Sequence, residues 1–587
     1  MMAAAVLAAA SCTDFDDYND VPGTDSANLN VGQTLWQNIS QRGELSDFVA
    51  LVQKTGYQET LEQLNAYTVW APVNGQFDAA KYSAMSDSLL LERFVKNHIA
   101  KYNHSAMGEV KERVRMLNGK FYQFAGNGEY VYADVPLAQS NVVCSNGTLH
   151  LLNGAVEFYP NLYEYLSEVE GADSLVNYFK KYETTELNLK ESEKGPMVNG
   201  MQTYVDSVME TSNSLLTRNR LNAALANEDS SYTFLIPTNE AYTKMYNRVK
   251  DCYKYLPTMT MQDVEKQEKV NPNTKDGDAI RNAIKKTSKE IDHIYLADSI
   301  ARLNLVSHLI YNNRDTSNLH IESTEWTDND TIRSTRNGRF SNPKEIFEDY
   351  LADEPVRMSN GWARKVDSLA FKTWELYNPE LEYPVRHYVG KSFLSKVTSV
   401  PVPDSTAQKL LGPDAIGFTY NLYAPADEFS VPNLFIKLPN VRAAKYNFYC
   451  VVLPASLGAE LTTKPTPMNF NLSYCGAGGL TNYHFSSNGT DNPNILNEST
   501  AFISSDITKV DTIYLGQFTF PYCYDGVRDV NPDGTYEEYY PSINISCPLL
   551  YSDSLYEPLY DQYSTEMRIL SIILRPAEQD EYEENNK

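Results

Sequence analysis

The sequence predicts an α+β chain, in which two consecutive α/β modules precede an all-β, sandwich-like C-terminal domain. Three observations carry this. With 587 residues the chain exceeds any single hydrophobic core and implies about three or four domains. A set of three short blocks occurs twice, in the same order, between about residue 30 and residue 378. Beyond about residue 379, apolar and polar residues alternate in short runs, which is the period of a half-buried strand.

The chain opens with an apolar stretch of small residues, Met1 to Ala10, leading into Leu7-Ala8-Ala9-Ala10-Ser11-Cys12. This resembles a bacterial lipobox. The resemblance implies a signal peptide over 1–11 and a lipid anchor on Cys12, and more than one acyl chain would make that anchoring stable. The alternative is a short buried helix with an unmodified Cys12. Residues 12–30 form an acidic tether that begins Thr13-Asp14-Phe15-Asp16-Asp17. It resembles the export tags of Bacteroidota surface lipoproteins, which implies an outer-membrane protein facing the cell exterior; a periplasmic tether is the other reading.

The first module spans 31–160. Leu45, Phe48, Val49 and Val52 recur at helical spacing. Tyr67 to Trp70 is a β-prone run ended by Pro72 and the turn formers Asn74 and Gly75. Phe94 to Ile99, carrying His98, reads as a second helix. Ser145 to Gly154 reads as a hairpin turning at Asn146-Gly147.

These blocks resemble the signatures of fasciclin domains. A second copy spans 161–378, with Tyr232 to Tyr242 as its first block, Leu303 to Ile310 carrying His308 as its second, and Ser359 to Asp367 as its third. Polar insertions around Asp251 to Lys289 and between Asn312 and Met358 are expected to emerge as surface loops or added helices.

The C-terminal domain spans 379–577. Met468, Phe470, Leu472 and Tyr474 lie on one face of a strand and Asn469, Asn471 and Ser473 on the other. Tyr446 to Leu453, Thr512 to Phe520, Ile543 to Cys547 and Met567 to Leu574 are further strands of a sandwich. Residues 578–587 read as an acidic tail.

Composition narrows the function. A formal charge of -26 repels phosphate backbones and anionic headgroups, so nucleic acid is excluded as a partner. After the N-terminus no apolar run is long enough to cross a bilayer as a helix, so the membrane is reached through the lipid anchor. The cysteines beyond Cys12 show no metal or redox spacing. Four of them fall in the last third, which leaves open one or two disulfides or buried thiols there.

Candidate chemistry is sparse. His98 and His308 occupy the fasciclin helix position and read as buried structural histidines. Neither G-x-S-x-G nor H-E-x-x-H occurs, and Gly390-Lys391-Ser392 reads as a loop. Asp529, Asn531 and Asp533 have the oxygen spacing of a calcium loop, although Tyr540 stands where a closing carboxylate belongs; calcium is the one cofactor suggested. An ordinary turn is the alternative.

The fasciclin resemblance implies a scaffold for adhesion or protein interaction without a catalytic centre. The expected function is a non-enzymatic surface lipoprotein that binds a ligand or docks onto an outer-membrane transporter or companion lipoproteins, as an accessory of SusC/SusD-type glycan uptake. An adhesin for host matrix or other cells is the alternative. A glycan-active enzyme with its site in the C-terminal domain is a third.

Overall fold

The computed structural model describes residues 29–586 apart from 31, 191, 207–208, 255–292, 328, 392–394, 458–463, 477–478, 488–500, 504–506, 526–528, 531–535, 538–540 and 550–560. It divides into two compact units. One comprises the chain up to Val169 with Ala224–Tyr232 and Val356–Ala363; the other comprises Glu170–Ala223, Thr233–Pro355 and the chain from Arg364.

The first unit is built on a mixed sheet in the strand order Ile99–Lys101, Tyr67–Pro72, Gly147–Leu152, Val135–Cys144, Glu129–Tyr132, Phe121–Asn127, Glu109–Arg115. Its second and third strands run parallel, from Tyr67 opposite Gly147 to Pro72 opposite Leu152, and every residue in both is buried. Burial on both faces explains why neither strand alternates in sequence. Leu29–Asn30 pairs in parallel with Val143–Cys144, so the end of the expected tether belongs to the sheet.

One face of this sheet packs against the helices Leu35–Ser40 and Ser46–Lys54 through Leu35, Phe48, Val52, Val69, Phe94 and Leu149. Of the predicted stripe, Leu45, Phe48 and Val52 are buried there and Val49 is partly buried against them. On the other face Trp70 lies between Phe124 and Tyr132, stacked on Tyr132 at 4.3 Å.

Two local expectations change. The stretch around His98 is not a regular helix: a π turn, Leu91–Val95, leads into a 3-10 turn, Lys96–His98, and strand begins at Ile99. The His98 ring accounts for the irregularity, since Nδ1 donates to the Phe94 carbonyl at 2.8 Å while Nε2 accepts from the Val156 N–H at 3.0 Å. The hairpin turns at Ser145-Asn146 rather than Asn146-Gly147, because Cys144 already faces Gly147 across the ladder.

A four-stranded sheet carries the second set of blocks, in the order Ile310–Asn312, Tyr232–Pro237, Gly361–Val366, Val356–Met358. The second unit adds the helices Asp173–Lys180, Asn239–Cys252 and His293–Val306. Most of the first expected insertion lies outside the described residues. The second contains a short ribbon, Ile332–Arg333 with Arg339–Phe340, and a π turn, Glu345–Asp349.

An element not anticipated is a pair of two-stranded ribbons, Glu183–Leu187 with Met209–Asn213 and Glu193–Val198 with Met201–Asp206. Asn199 and Gly200 turn the second with positive φ at both, the geometry that favours this dipeptide. Glu183 to Glu186 are all exposed, so no buried face imposes the alternation by which a strand is recognised.

The C-terminal region contains two sheets contributing to one core. Four strands follow the order Leu381–Pro384, Ile569–Pro576, Lys445–Val452, Asp511–Thr519; five follow Val389–Lys391, Asn433–Lys437, Ser542–Ser546, Asn469–Gly476, Gly479–Phe485. Phe448, Phe520 and Ile572 pack with Leu434, Phe470 and Ile545, a sandwich arrangement. Met468, Phe470 and Leu472 are buried, as their spacing predicts.

Gly390 and Lys391 lie in a strand opposite Phe435 and Leu434, not in a loop. The acidic tail takes a regular form: Ala577–Asn585 is a helix. Its carboxylates find partners that composition alone does not reveal, with Arg575 facing Asp580 at 3.2 Å and Glu583 at 3.6 Å, and Glu578 accepting from Thr373 Oγ1 at 2.7 Å.

Candidate binding surface

The repeated sequence blocks become a repeated polar corner. Asn146 accepts from the Leu35 N–H at 2.7 Å and donates to the Leu61 and Gln63 carbonyls at 2.9 and 2.6 Å. It thereby satisfies the start of one helix and the end of another, groups that have no partner within their own helices. Asn360 accepts from the Leu162 N–H at 2.9 Å and donates to the Leu225 and Asn227 carbonyls at 2.8 and 3.0 Å.

The following glycines match as well. A Cβ on Gly147 would lie 2.0 Å from the Tyr67 carbonyl oxygen, and one on Gly361 would lie 1.8 Å from that of Tyr232. Asn74 accepts from the Asp47 N–H at 3.0 Å, and Asn239 from the Ser174 N–H at 2.8 Å. The first and third blocks make matching contacts in both copies.

The histidines differ in detail. His98 is enclosed and held down at about 4 by burial, and so is His150, whose Nε2 donates to the His104 carbonyl at 2.8 Å and whose Nδ1 accepts from the Asn141 N–H at 3.2 Å. His308 is likewise held at about 4 by burial, with Nδ1 beside Ser334 Oγ at 2.9 Å. The neutral, enclosed rings of His98 and His150 serve backbone groups and hold structure, whereas half-buried His308 meets a serine hydroxyl.

At one end of the first sheet the chain displays apolar side chains. Leu64 is 88% exposed and Tyr102 73% exposed, and the Tyr102 N–H donates to the Ala66 carbonyl at 2.8 Å, which joins their two segments. Tyr102 adopts φ 71°, a left-handed conformation that is costly for a bulky residue. Thr68 fixes it: its hydroxyl donates to the Tyr102 carbonyl at 2.8 Å and accepts from the His104 N–H at 2.9 Å. An aromatic ring held outward on a braced loop is suited to anchoring a partner.

Sequence reading missed this surface, because neither the positive φ nor the proximity of residues 66 and 102 leaves a local signal. Cys12, the expected lipidation site, lies outside the described residues. So do Asn531 and Asp533; Asp529 belongs to a short strand pairing with Glu537. Among the described residues no group of three or more His, Cys, Asp or Glu side chains is placed to hold a metal ion. Cys450 and Cys547 are buried unpaired thiols, and burial pushes the Cys547 thiol up to about 12.

Comparison with known proteins follows this geometry. Residues 43–156 match the Fasciclin domain family, so the chain carries a fasciclin domain there. No curated protein sequence matches the chain. Among solved structures, it is similar to a FAS1 domain pair from the insect cell adhesion molecule Fasciclin I, at 13% identity and a TM-score of 0.20, covering 57% of this chain and 99% of that one. It is also similar to the enzymatically active domain of bacteriophage CBA120 tailspike protein 4, at 7% identity and a TM-score of 0.14, covering 33% and 18%. Scores this low leave the family match as the basis for assignment, and a fasciclin domain suggests binding or adhesion.

Proposed function

We propose that this protein is a non-enzymatic, lipid-anchored surface component that docks onto an outer-membrane uptake complex, with Cys12 as its anchor and a glycan transporter or companion lipoprotein as its partner. The observation that carries a binding role is the fasciclin domain at 43–156 with Tyr102 and Leu64 braced outward at one end of its sheet. Two further features support the reading. Among the described residues no helix is long and apolar enough to cross a membrane, and the charge of -26 turns away anionic partners. We read residues 161–378 as a second fasciclin module, on the strength of the paired Asn146 and Asn360 corners.

Purification of the tagged chain from native membranes tests the docking role. Recovery with a transporter or a companion lipoprotein, reduced at least tenfold by Tyr102→Ala with Leu64→Ser, is the expected result. Recovery of the chain alone refutes it. Adhesion to matrix or cells is the second reading favoured by a fasciclin domain; gene deletion would then reduce attachment and leave growth on glycans unchanged.

A further inference from the structure

Lys120 is 1% exposed, a rare position for a lysine. Its Nζ lies 2.6 Å from Glu228 Oε1 and 2.7 Å from Glu164 Oε2, with Ser359 Oγ at 3.4 Å and the Phe158 ring centroid at 5.3 Å. Asn161, itself 5% exposed, donates from Nδ2 to the same Glu228 Oε1 at 3.0 Å. One carboxylate oxygen therefore touches both an amine and the amide nitrogen of a carboxamide. The carboxamide oxygen, Asn161 Oδ1, accepts from the backbone N–H groups of Tyr163 and Glu164 at 3.1 and 2.9 Å.

We propose that Lys120 and Asn161 form an intramolecular amide cross-link, with Glu228 as the proton carrier. The parts match those of acyl transfer: a nucleophile, a base bonded to it, and donors on the oxygen where charge develops. Glu228 takes a proton from the Lys120 ammonium, and the resulting amine attacks Asn161 Cγ. The Nζ–Cγ bond forms while negative charge on Oδ1 is held by the two backbone N–H groups. Glu228 then delivers the proton to Nδ2 and takes the second proton from Nζ as the Cγ–Nδ2 bond breaks; the departing ammonia accepts that second proton and leaves as ammonium, carrying away the positive charge that Lys120 began with.

Atoms and charge balance without an oxidant or cofactor. Low exposure of Lys120 and Asn161 limits competing hydrolysis by water. Glu164 is the competing acceptor, but as a carboxylate it is a poor electrophile beside a neutral carboxamide. The reaction occurs once per chain and closes a loop from residue 120 to residue 161, which removes conformations from the unfolded state as other cross-links do.

The test is the intact mass of the full-length purified protein after prolonged incubation at neutral pH, followed by peptide mapping. The expected result is a mass lower by one ammonia, with the peptides holding Lys120 and Asn161 recovered as one branched species. Lys120→Met and Glu228→Gln should each abolish the loss; Glu228→Gln keeps the side chain's size, so circular dichroism can verify that the fold persists. A mass equal to that of the sequence after incubation overturns the proposal. So does a loss of one water mapped to Glu164, or a loss of ammonia that survives Glu228→Gln in a folded protein.

Discussion

Replacing Asn146 with alanine tests whether the polar corner holds the fasciclin domain together. The side chain makes three short hydrogen bonds, buried ones to Leu35 and Leu61 and a part-buried one to Gln63. Each is worth about 1 kcal/mol net, and each buried backbone group left without a partner costs about 1–3 kcal/mol. The Leu35 N–H and the Leu61 carbonyl sit at helix ends, where their own helices offer no substitute. Some of this cost is recovered if water enters the space vacated, so about 4 kcal/mol is expected overall. Asn360 makes the same set of bonds in the second copy, so Asn360→Ala should cost the same within about 1 kcal/mol. Asn146→Asp should be at least as damaging, because a carboxylate would face two carbonyl oxygens. The chain has several domains, so one unfolding curve is not two-state. Native-state hydrogen exchange at Leu35 and Leu162 reads each corner separately, with the exposed Asn65→Ala as a neutral control. If Asn146→Ala loosened Leu35 by less than about 1 kcal/mol, the corner would be ornamental and this reasoning would fail.

Two further outcomes follow from the same geometry. Gly147→Ala and Gly361→Ala each place a Cβ within 2.0 Å of a neighbouring strand's carbonyl at positive φ, so both should yield insoluble or unfolded protein where Gly119→Ala, with nothing within 4 Å, mainly adds turn strain; soluble expression and circular dichroism decide. Acidification should weaken the fold through His98, His150 and His308. Their folded values lie at about 4, below the usual histidine value, so the unfolded chain binds more protons and stability falls as pH drops from about 6.5 towards 4. The full effect is about 3 kcal/mol per histidine. Lower protection, measured against the intrinsic exchange rate at each pH, at the Val156 and Asn141 amides, which donate to His98 and His150, would report it; equal protection at pH 7.5 and pH 4 would contradict it.

The sequence by itself determined the elements whose burial is one-sided or complete. The stripe of Leu45, Phe48 and Val52 required a helix, and the alternation through Met468, Phe470 and Leu472 required a strand, because each has one face to bury. The Asn-Gly pair of each copy was legible in the sequence, the first as a hairpin turn that the structure moves to Ser145-Asn146. Tertiary structure decided what those pairs were for: Asn146 and Asn360 close helix ends far away in sequence, and Gly147 and Gly361 admit a neighbouring carbonyl. It also decided that Ala577–Asn585, acidic enough to read as a solvated tail, becomes a helix beside Arg575. The convergence of Lys120, Asn161 and Glu228 had no sequence signal at all, for their separations of 41 and 67 residues fit no local period. Local patterns record which side of a segment meets the core; which distant groups meet each other is fixed only when the chain closes.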